Sequence, residues 1–499
     1  MRNTLRLAVL VCLAIFSASP TRAADQPPAA NPSPDKKLLN VLFCIADDAS
    51  AHFGAYGCTW TKTPHIDSLA KSGLVFTNAF TPTAKCAPSR ASILTGRNPW
   101  QLEEAANHQS HFPAKFKAFT ESLSDAGVYV GSHGKFWGPG DAKTADGKPR
   151  TWGMSGKGGM KAANNKGGDD NGAAFRSFLD ARPQGKPFFY WFGSKNPHRP
   201  YKLDSGIAAG KQPGDIEHVP AYWPDNDTVR RDMLDYAIEI EAYDREVGSL
   251  LKVLEETGEA KNTLVIVTSD HGMPFPRVKG HNYQLSNHVP LVARVPQGAA
   301  QSGQKVADFI SFADLAPTML EWFGVSHNAS GMSPITGHSF CDLLRGKSQR
   351  ERSFAILGRE RNDVWARPGT EAGLGYPVRG LREGNFLYLH NFAADRWPCG
   401  NVELGLLDTD GSPTKSLIHD LSQGNRFWEF CFGKRPAVEL FDVASDPDCV
   451  KNLAADMSYR DTVTKMHDKL VAELKRQSDP RVLGQGDLFD NYPTAKKGK

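Results

Sequence analysis

The sequence predicts an α/β fold, a mostly parallel sheet flanked by helices, with a smaller α+β subdomain at the C-terminal end. Three observations predict it. Short apolar runs recur at 39–46, 128–132, 188–193, 264–268 and 289–295, each near-continuously apolar, as a strand covered on both faces must be. Amphipathic helical patterns alternate with them, which favours a layered parallel sheet. Beyond residue 350 the pattern changes to strands at 386–392 and 439–443, followed by a closing helix at 460–476.

Taken in order, residues 1–23 read as an export signal. Arg2 and Arg6 give a basic start, 7–16 is an apolar run too short to span a bilayer, and Thr21 and Ala23 are small residues before a cut. Removing them takes three arginines and no acid, so the net charge falls from +4 to +1. An exported protein with no membrane association after signal cleavage is expected. Residues 24–37 are rich in Pro and Ala and read as a flexible leader. The main α/β domain is expected at 38–350 and the α+β subdomain at 351–499. The clearest helix runs over 232–257, where Met233, Tyr236, Ala237, Ile240, Tyr243, Val247, Leu250, Leu251 and Leu254 keep three-four spacing and Gly258 stops it. The Gly/Asn/Lys-rich stretch 155–172 reads as a loop, and 496–499 as a frayed basic tail. The closing helix carries Val463, Met466, Leu470 and Leu474 on one stripe. With 59 basic against 55 acidic side chains, there is no basic excess for nucleic acid.

Of eight cysteines, Cys12 leaves with the signal. Cys44 lies within an apolar strand and reads as a buried thiol. Export permits disulfides; Cys44, Cys58, Cys341, Cys399, Cys431 and Cys449 allow fifteen full pairings among which the sequence does not choose, and Cys431 with Cys449 is the guess for one bridge.

Three segments carry chemistry. In NVLFCIADD (40–48) a buried strand runs into Asp47 and Asp48. Adjacent carboxylates at a strand end repel unless solvent or a cation compensates them. In TLVIVTSDHG (263–272) a second strand delivers Asp270 and His271. Together the two ends could place three carboxylates and an imidazole around one hard divalent cation. In CAPSRASILTGR (86–97), Pro88 suits the first helical position and Gly96 the end, which puts Cys86 just before a helix start. Free N–H groups there favour an anion, and Arg90 adds positive charge one turn in. A buried cysteine beside a capped helix is the other reading.

Cys-x-Pro-Ser-Arg followed by Leu-Thr-Gly-Arg resembles the signature of the sulfatase family, and Asp47, Asp48, Asp270 and His271 lie where that family keeps its metal ligands. The strings HGMPFP (271–276), NPHRP (196–200), YPVRGLREGNFLYLHNF (376–392) and ELFDVASDPD (439–448) resemble the heparan N-sulfatase branch, the N-sulfoglucosamine sulfohydrolases. The resemblance implies an alkaline phosphatase-like fold. It also implies oxidation of Cys86 to formylglycine by a formylglycine-generating or maturase enzyme, and sulfated carbohydrate as substrate. Calcium, or magnesium, would be held by Asp47, Asp48, Asp270, His271 and residue 86. Arg90 would hold the nucleophile's alkoxide, Lys135 and Lys279 would bind sulfate oxygens, and His198 would protonate the leaving group or bind sulfate.

Two departures stand out. His271 replaces the asparagine of the heparan N-sulfatases. Trp137 replaces the histidine that many sulfatases keep two residues after the Lys135 position. If 133–137 is extended, His133, Lys135 and Trp137 share a face, so His133 is a substitute base. In the C-terminal part, Arg359, Glu360, Asn362, Asp363 and Arg379 suit sugar hydroxyls and carboxylates, or an ordinary solvated loop. A phosphonate or phosphate ester hydrolase on the same scaffold, or a glycan-binding protein with unmodified Cys86, are the alternative functions.

Overall fold

The computed structural model describes residues 40–155, 170–296, 303–347, 352–363, 374–402, 405 and 407–495. The signal, the leader, most of the 155–172 loop, the basic tail and the 350/351 boundary lie outside the described residues. Residues 38–499 group as one compact unit. The strands are β1 (Asn40–Ala46), β2 (Leu74–Phe80), β3 (Ser110–Phe112), β4 (Tyr129–Gly134), β5 (Gly140–Ala142), β6 (Phe188–Gly193), β7 (Thr263–Ser269), β8 (Leu291–Arg294), β9 (Gln304–Ser311), β10 (Phe354–Arg359), β11 (Val378–Glu383), β12 (Phe386–Asn391) and β13 (Val438–Asp442). The main sheet has the order β4-β6-β1-β7-β8-β2-β9. The α/β class with a mostly parallel sheet is what the apolar runs predicted, and five sheet members match them. Within this sheet β8 alone runs against its neighbours β7 and β2. The sequence signalled neither β2 nor β9. β2 carries Thr77 and Asn78, and β9, at the sheet edge, exposes Gln304 and Lys305, so neither is continuously apolar.

Alternation along the central strands divides the interior into two cores. Leu42 and Cys44 of β1, Val265 and Val267 of β7, and Phe188, Tyr190 and Phe192 of β6 face one side. That side is covered by the helix Asp227–Glu256 through Met233, Tyr236, Ile240, Tyr243 and Val247. Val41, Phe43 and Ile45 face the other side with Ile93, Leu94, Phe119, Leu315 and Met319 from three helices. The long helix begins five residues before the expected start, because the Asn226 side chain accepts from the Val229 N–H and caps it. A helix also begins at Asp170, inside the stretch expected to be loop.

The second sheet, antiparallel β10-β11-β12-β13, packs one face on the helix Arg460–Arg476 through Met466, Leu470 and Leu474. This agrees with the expected closing helix. Arg379, on β11, does not serve a sugar subsite. It is fully buried and donates from Nε to Asp479 Oδ2 (2.7 Å) and from Nη2 to Asp479 Oδ1 (3.0 Å) and Glu360 Oε1 (2.7 Å). Arg481 Nη2 donates to the other Glu360 oxygen at 2.6 Å. Removing one member of a buried ion network leaves its partners uncompensated. Arg379→Ala is therefore expected to cost about 3–5 kcal/mol of stability, read by urea unfolding. A loss below about 1 kcal/mol, the ordinary worth of an exposed pair, would refute the structural role.

The expected Cys431–Cys449 bridge is not formed. All seven described cysteines are free. Cys431 Sγ faces Tyr222 O at 3.5 Å and Cys449 Sγ faces Pro447 O at 3.9 Å. Cys44 is a buried thiol, and burial pushes its pKa well up.

Candidate active site

The site lies beyond the carboxyl ends of four adjacent parallel strands, where such sheets gather ligands. Register decides what meets there. Ala46 of β1 pairs with Ser269 of β7, so Asp47 and Asp270 leave their strands side by side. Asp270 N donates to Ala46 O (3.2 Å) and Asp48 N donates to Asp270 Oδ1 (3.0 Å). Asp48 has φ +76°, a left-handed backbone rare outside glycine and concentrated at functional sites. β6 leads through Asn196, whose carbonyl accepts from Asp47 N at 3.0 Å, to His198. β4 leads to Lys135, whose N–H donates to Gly193 O at 2.7 Å. A Cβ on Gly193 would lie 1.7 Å from Lys135 O, so only glycine allows this approach.

β2 leads to the helix Cys86–Thr95, every residue of which is buried. Cys86 is its first residue, with Lys85 as N-cap and Pro88 third, two places later than the sequence suggested. Gly96 ends it in the left-handed conformation, as expected. Cys86 Sγ lies 3.3 Å from His271 Nε2 and 3.9 Å from Asp48 Oδ1. Burial raises the thiol pKa strongly, more than Lys135 lowers it, so a plain thiol here is protonated and weakly nucleophilic.

The cations are committed. Arg90 donates from Nε to Asp270 Oδ2 (2.8 Å) and from Nη1 to the carbonyls of Lys135 (2.8 Å) and Phe136 (3.0 Å). Lys135 Nζ meets both Asp47 oxygens at 2.6 and 2.7 Å. Lys279 Nζ bridges Asp48 Oδ2 and Asp410 Oδ2, both at 2.6 Å. Burial would raise the Asp270 carboxyl, but Arg90 first and then Lys135 hold it well below the usual range. Burial acts likewise on Asp48, and Lys279 first and then His198 overcome it. His198 Nδ1 faces its neighbour's carbonyl, Arg199 O, at 2.6 Å, and Nε2 lies 3.9 Å from Asp48 Oδ2.

Ligand atoms of Asp47, Asp48 and Asp270 lie within 4.8 Å of one another, as do those of Cys86, Asp270 and His271. His271 Nδ1 sits 3.0 Å from Gly272 O, which only an N–H can satisfy, and Nε2 sits 3.0 Å from Asp48 Oδ1. A neutral ring donates from one nitrogen only, and burial favours the neutral ring. A shared cation reconciles an imidazole lone pair with a carboxylate at that distance, and the carbonyl anchor is the usual support of a metal-binding histidine. The donor set therefore fits a hard divalent ion.

The sulfatase family model matches residues 39–325, more than half of the chain. The chain belongs to the sulfatase family. Human N-sulphoglucosamine sulphohydrolase is 28% identical over 494 residues, covering 90% of this chain and 93% of that one. An ulvan-active sulfatase of Formosa agariphila is 25% identical, covering 90% and 77%. A structure in complex with its substrate D-glucosamine-2-N,6-O-disulfate superposes with TM-score 0.63 at 20% identity, covering 89% of this chain and 99% of that one. Phosphonate monoester hydrolase of Agrobacterium radiobacter gives TM-score 0.59 at 18% identity, covering 89% and 96%. These superpositions show the alkaline phosphatase-like fold.

In this sulfatase the structure gathers Asp47, Asp48, Cys86, Arg90, Lys135, His198, Asp270, His271 and Lys279 at one place. The extended 133–137 segment does not hold. Gly134 has φ +76° and turns the chain, so the condition that put His133 on the Lys135 face is not met. Trp137 instead donates to Ala87 O at 3.0 Å and packs on Phe112 and Trp152. Arg359 and Asn362 donate to Gly280 O, the latter at 3.2 Å, and so brace the Lys279 loop from behind. Asp363 takes Lys85 Nζ (2.8 Å) and His108 Nδ1 (2.7 Å). Sequence reasoning missed Lys85, His108 and Asp410. Only the acid pair in LDTDG (407–411) hinted at Asp410, and nothing local ties it to Lys279, 131 positions earlier.

Proposed function

We propose that this sulfatase is exported and hydrolyses sulfate esters or sulfamates of carbohydrates, with Cys86 oxidised to formylglycine and a divalent cation, calcium first, at the acidic cluster. One observation carries the reading: Cys86 Sγ meets His271 Nε2 and Asp48 Oδ1 at the start of a buried helix. The likeness to human N-sulphoglucosamine sulphohydrolase and to the ulvan-active sulfatase supports a sulfated saccharide as substrate. The basic, apolar N-terminal segment supports export.

Hydrated, the aldehyde would supply a gem-diol: one hydroxyl would lose its proton and attack sulfur as the S–O or S–N bond to the sugar breaks, and the other, on losing its proton, would expel sulfate by breaking the C–O bond and restore the aldehyde. Asp47, Asp48, Asp270 and His271 would hold the cation, which supplies positive charge that favours an ionised hydroxyl and a polarised sulfate. Lys135 and Lys279, each an ammonium with three donors, can also donate to sulfate oxygens, where charge spreads in the transition state. His198 Nε2 lies 3.9 Å from Asp48 Oδ2, and the ring in its protonated form can give a proton from Nε2 to the departing oxygen or nitrogen. Arg90 pins Asp270 and residues 135–136, and its charge lies one helical turn from residue 86. Trp137 covers the helix start with an aromatic ring and holds the Ala87 carbonyl. Cys86 is 2% exposed, so the maturase must act before this helix is packed.

Mass spectrometry of the peptide containing residue 86 tests the chemistry. Conversion of thiol to aldehyde lowers its mass by about 18 Da, and an unmodified cysteine in active protein would overturn the proposal. Aryl sulfate is expected to be turned over faster than aryl phosphate. The reverse preference would favour a phosphate or phosphonate hydrolase.

A further inference from the structure

The site's charged groups differ sharply in exposure. Side chains of Asp48, Arg90, Asp270 and His271 are 0% exposed, those of Lys279 and Asp47 2 and 3%. Among the described charged groups of the site, His198 (36%), Asp410 (26%) and Lys135 (19%) are the most exposed, so these three lie on its solvent side. Two of them are suited to an anion. Asp410 is not, and it stands outside the three groups that could hold a metal ion.

We propose that Asp410 determines specificity: its carboxylate accepts a hydrogen bond from a neutral hydroxyl or N–H group beside the scissile sulfate, and repels substrates whose neighbouring substituent is a second anion. This rests on the sulfatase reading above and adds what must flank the sulfate.

The geometry supports it in three ways. Lys279 Nζ touches Asp48 on one side and Asp410 on the other, at 2.6 Å each. A sulfate bound by this ammonium would therefore lie beside Asp410, within reach of the sugar's neighbouring substituent. One Asp410 oxygen is committed to Lys279, and a carboxylate has capacity for more than one donor. The placement is also built rather than loose. Lys85 Nζ donates to Asp408 O at 3.4 Å while paired to Asp363, Lys415 Nζ donates to Thr409 O at 2.5 Å, and Ser412 caps the helix that follows. Burial would raise the Asp410 carboxyl, but Lys279, Lys85 and His198 keep it ionised. A fixed negative charge at the entrance of an anion site is selective by nature. It favours a hydrogen-bond donor and opposes a second sulfate or a carboxylate.

The test compares wild type and Asp410→Asn, both with residue 86 matured, on two saccharides carrying the same scissile sulfate. One has a free hydroxyl at the neighbouring position, the other a sulfate there. Wild type is expected to favour the first by at least about 10-fold in kcat/KM, and Asp410→Asn to narrow that ratio by about 10-fold through gain on the second saccharide and loss on the first. Asp410→Ser should move the ratio the same way if the asparagine variant folds poorly. An unchanged ratio with equal loss on both would mean Asp410 only positions Lys279, and would overturn the proposal. So would wild-type preference for the doubly sulfated saccharide. Wild type inactive on both saccharides and on aryl sulfate would instead overturn the sulfatase reading itself.

Discussion

Cys86→Ala is expected to lower kcat/KM by at least about 10⁴-fold, the scale on which removal of a covalent nucleophile acts. Stability should change little. The sulfur is buried among His271 and Asp48, and losing one small group from such a place costs about 1 kcal/mol. Cys86→Ser separates the two chemical steps. A serine hydroxyl can accept a sulfuryl group but has no second hydroxyl on the same carbon to expel it. The variant should therefore turn over at most once and keep an ester about 80 Da heavier than the free protein. Intact mass and steady-state rates check both variants. Sustained turnover by Cys86→Ala above about 1% of wild type, far more than a missing nucleophile allows, would remove residue 86 from the chemistry.

Asp270→Ala should abolish activity and metal retention and also destabilise the fold by about 3–5 kcal/mol. The structural reason is Arg90. Its guanidinium is 0% exposed, and Asp270 is its nearest carboxylate at 2.8 Å, with Asp47 next at 3.5 Å. Asp270 also accepts the Asp48 N–H. Truncation leaves a buried cation and a buried amide short of partners, and neither can reach water. Asp47→Ala should lose activity equally but cost less stability, about 1–2 kcal/mol, because its main partner Lys135 is 19% exposed and can be solvated. Metal content per protein and urea unfolding of both variants read the difference. Wild-type metal content in Asp270→Ala would refute the ligand assignment, and equal stability losses would refute the argument from burial.

Strand positions β1, β4, β6 and β7 were legible because each is buried on both faces, and a residue that cannot face water must be apolar whichever way it points. β2 and β9 were not, because polar residues interrupt β2 and one side of β9 is open. The acids at strand ends were legible for a related reason: a carboxylate directly after seven buried residues has no solvent side to explain it. Arg379 and Glu360 misled, since a mixed-charge stretch reads the same whether it meets sugar or a buried counter-charge such as Asp479. The 133–137 face failed at a single dihedral, Gly134.

From the chain alone came the class of fold, a helix after Cys86 ended by Gly96, and the residue types able to hold a cation and a sulfate. These are local, being carried by periodicity and short motifs within a few residues. The meeting of Lys279 with Asp48 and Asp410, the reversal of β8, and the commitment of each cation to a particular acid were decided by the folded structure. They join positions up to 231 residues apart, and strand register and loop closure, rather than neighbouring sequence, bring such groups within hydrogen-bond reach.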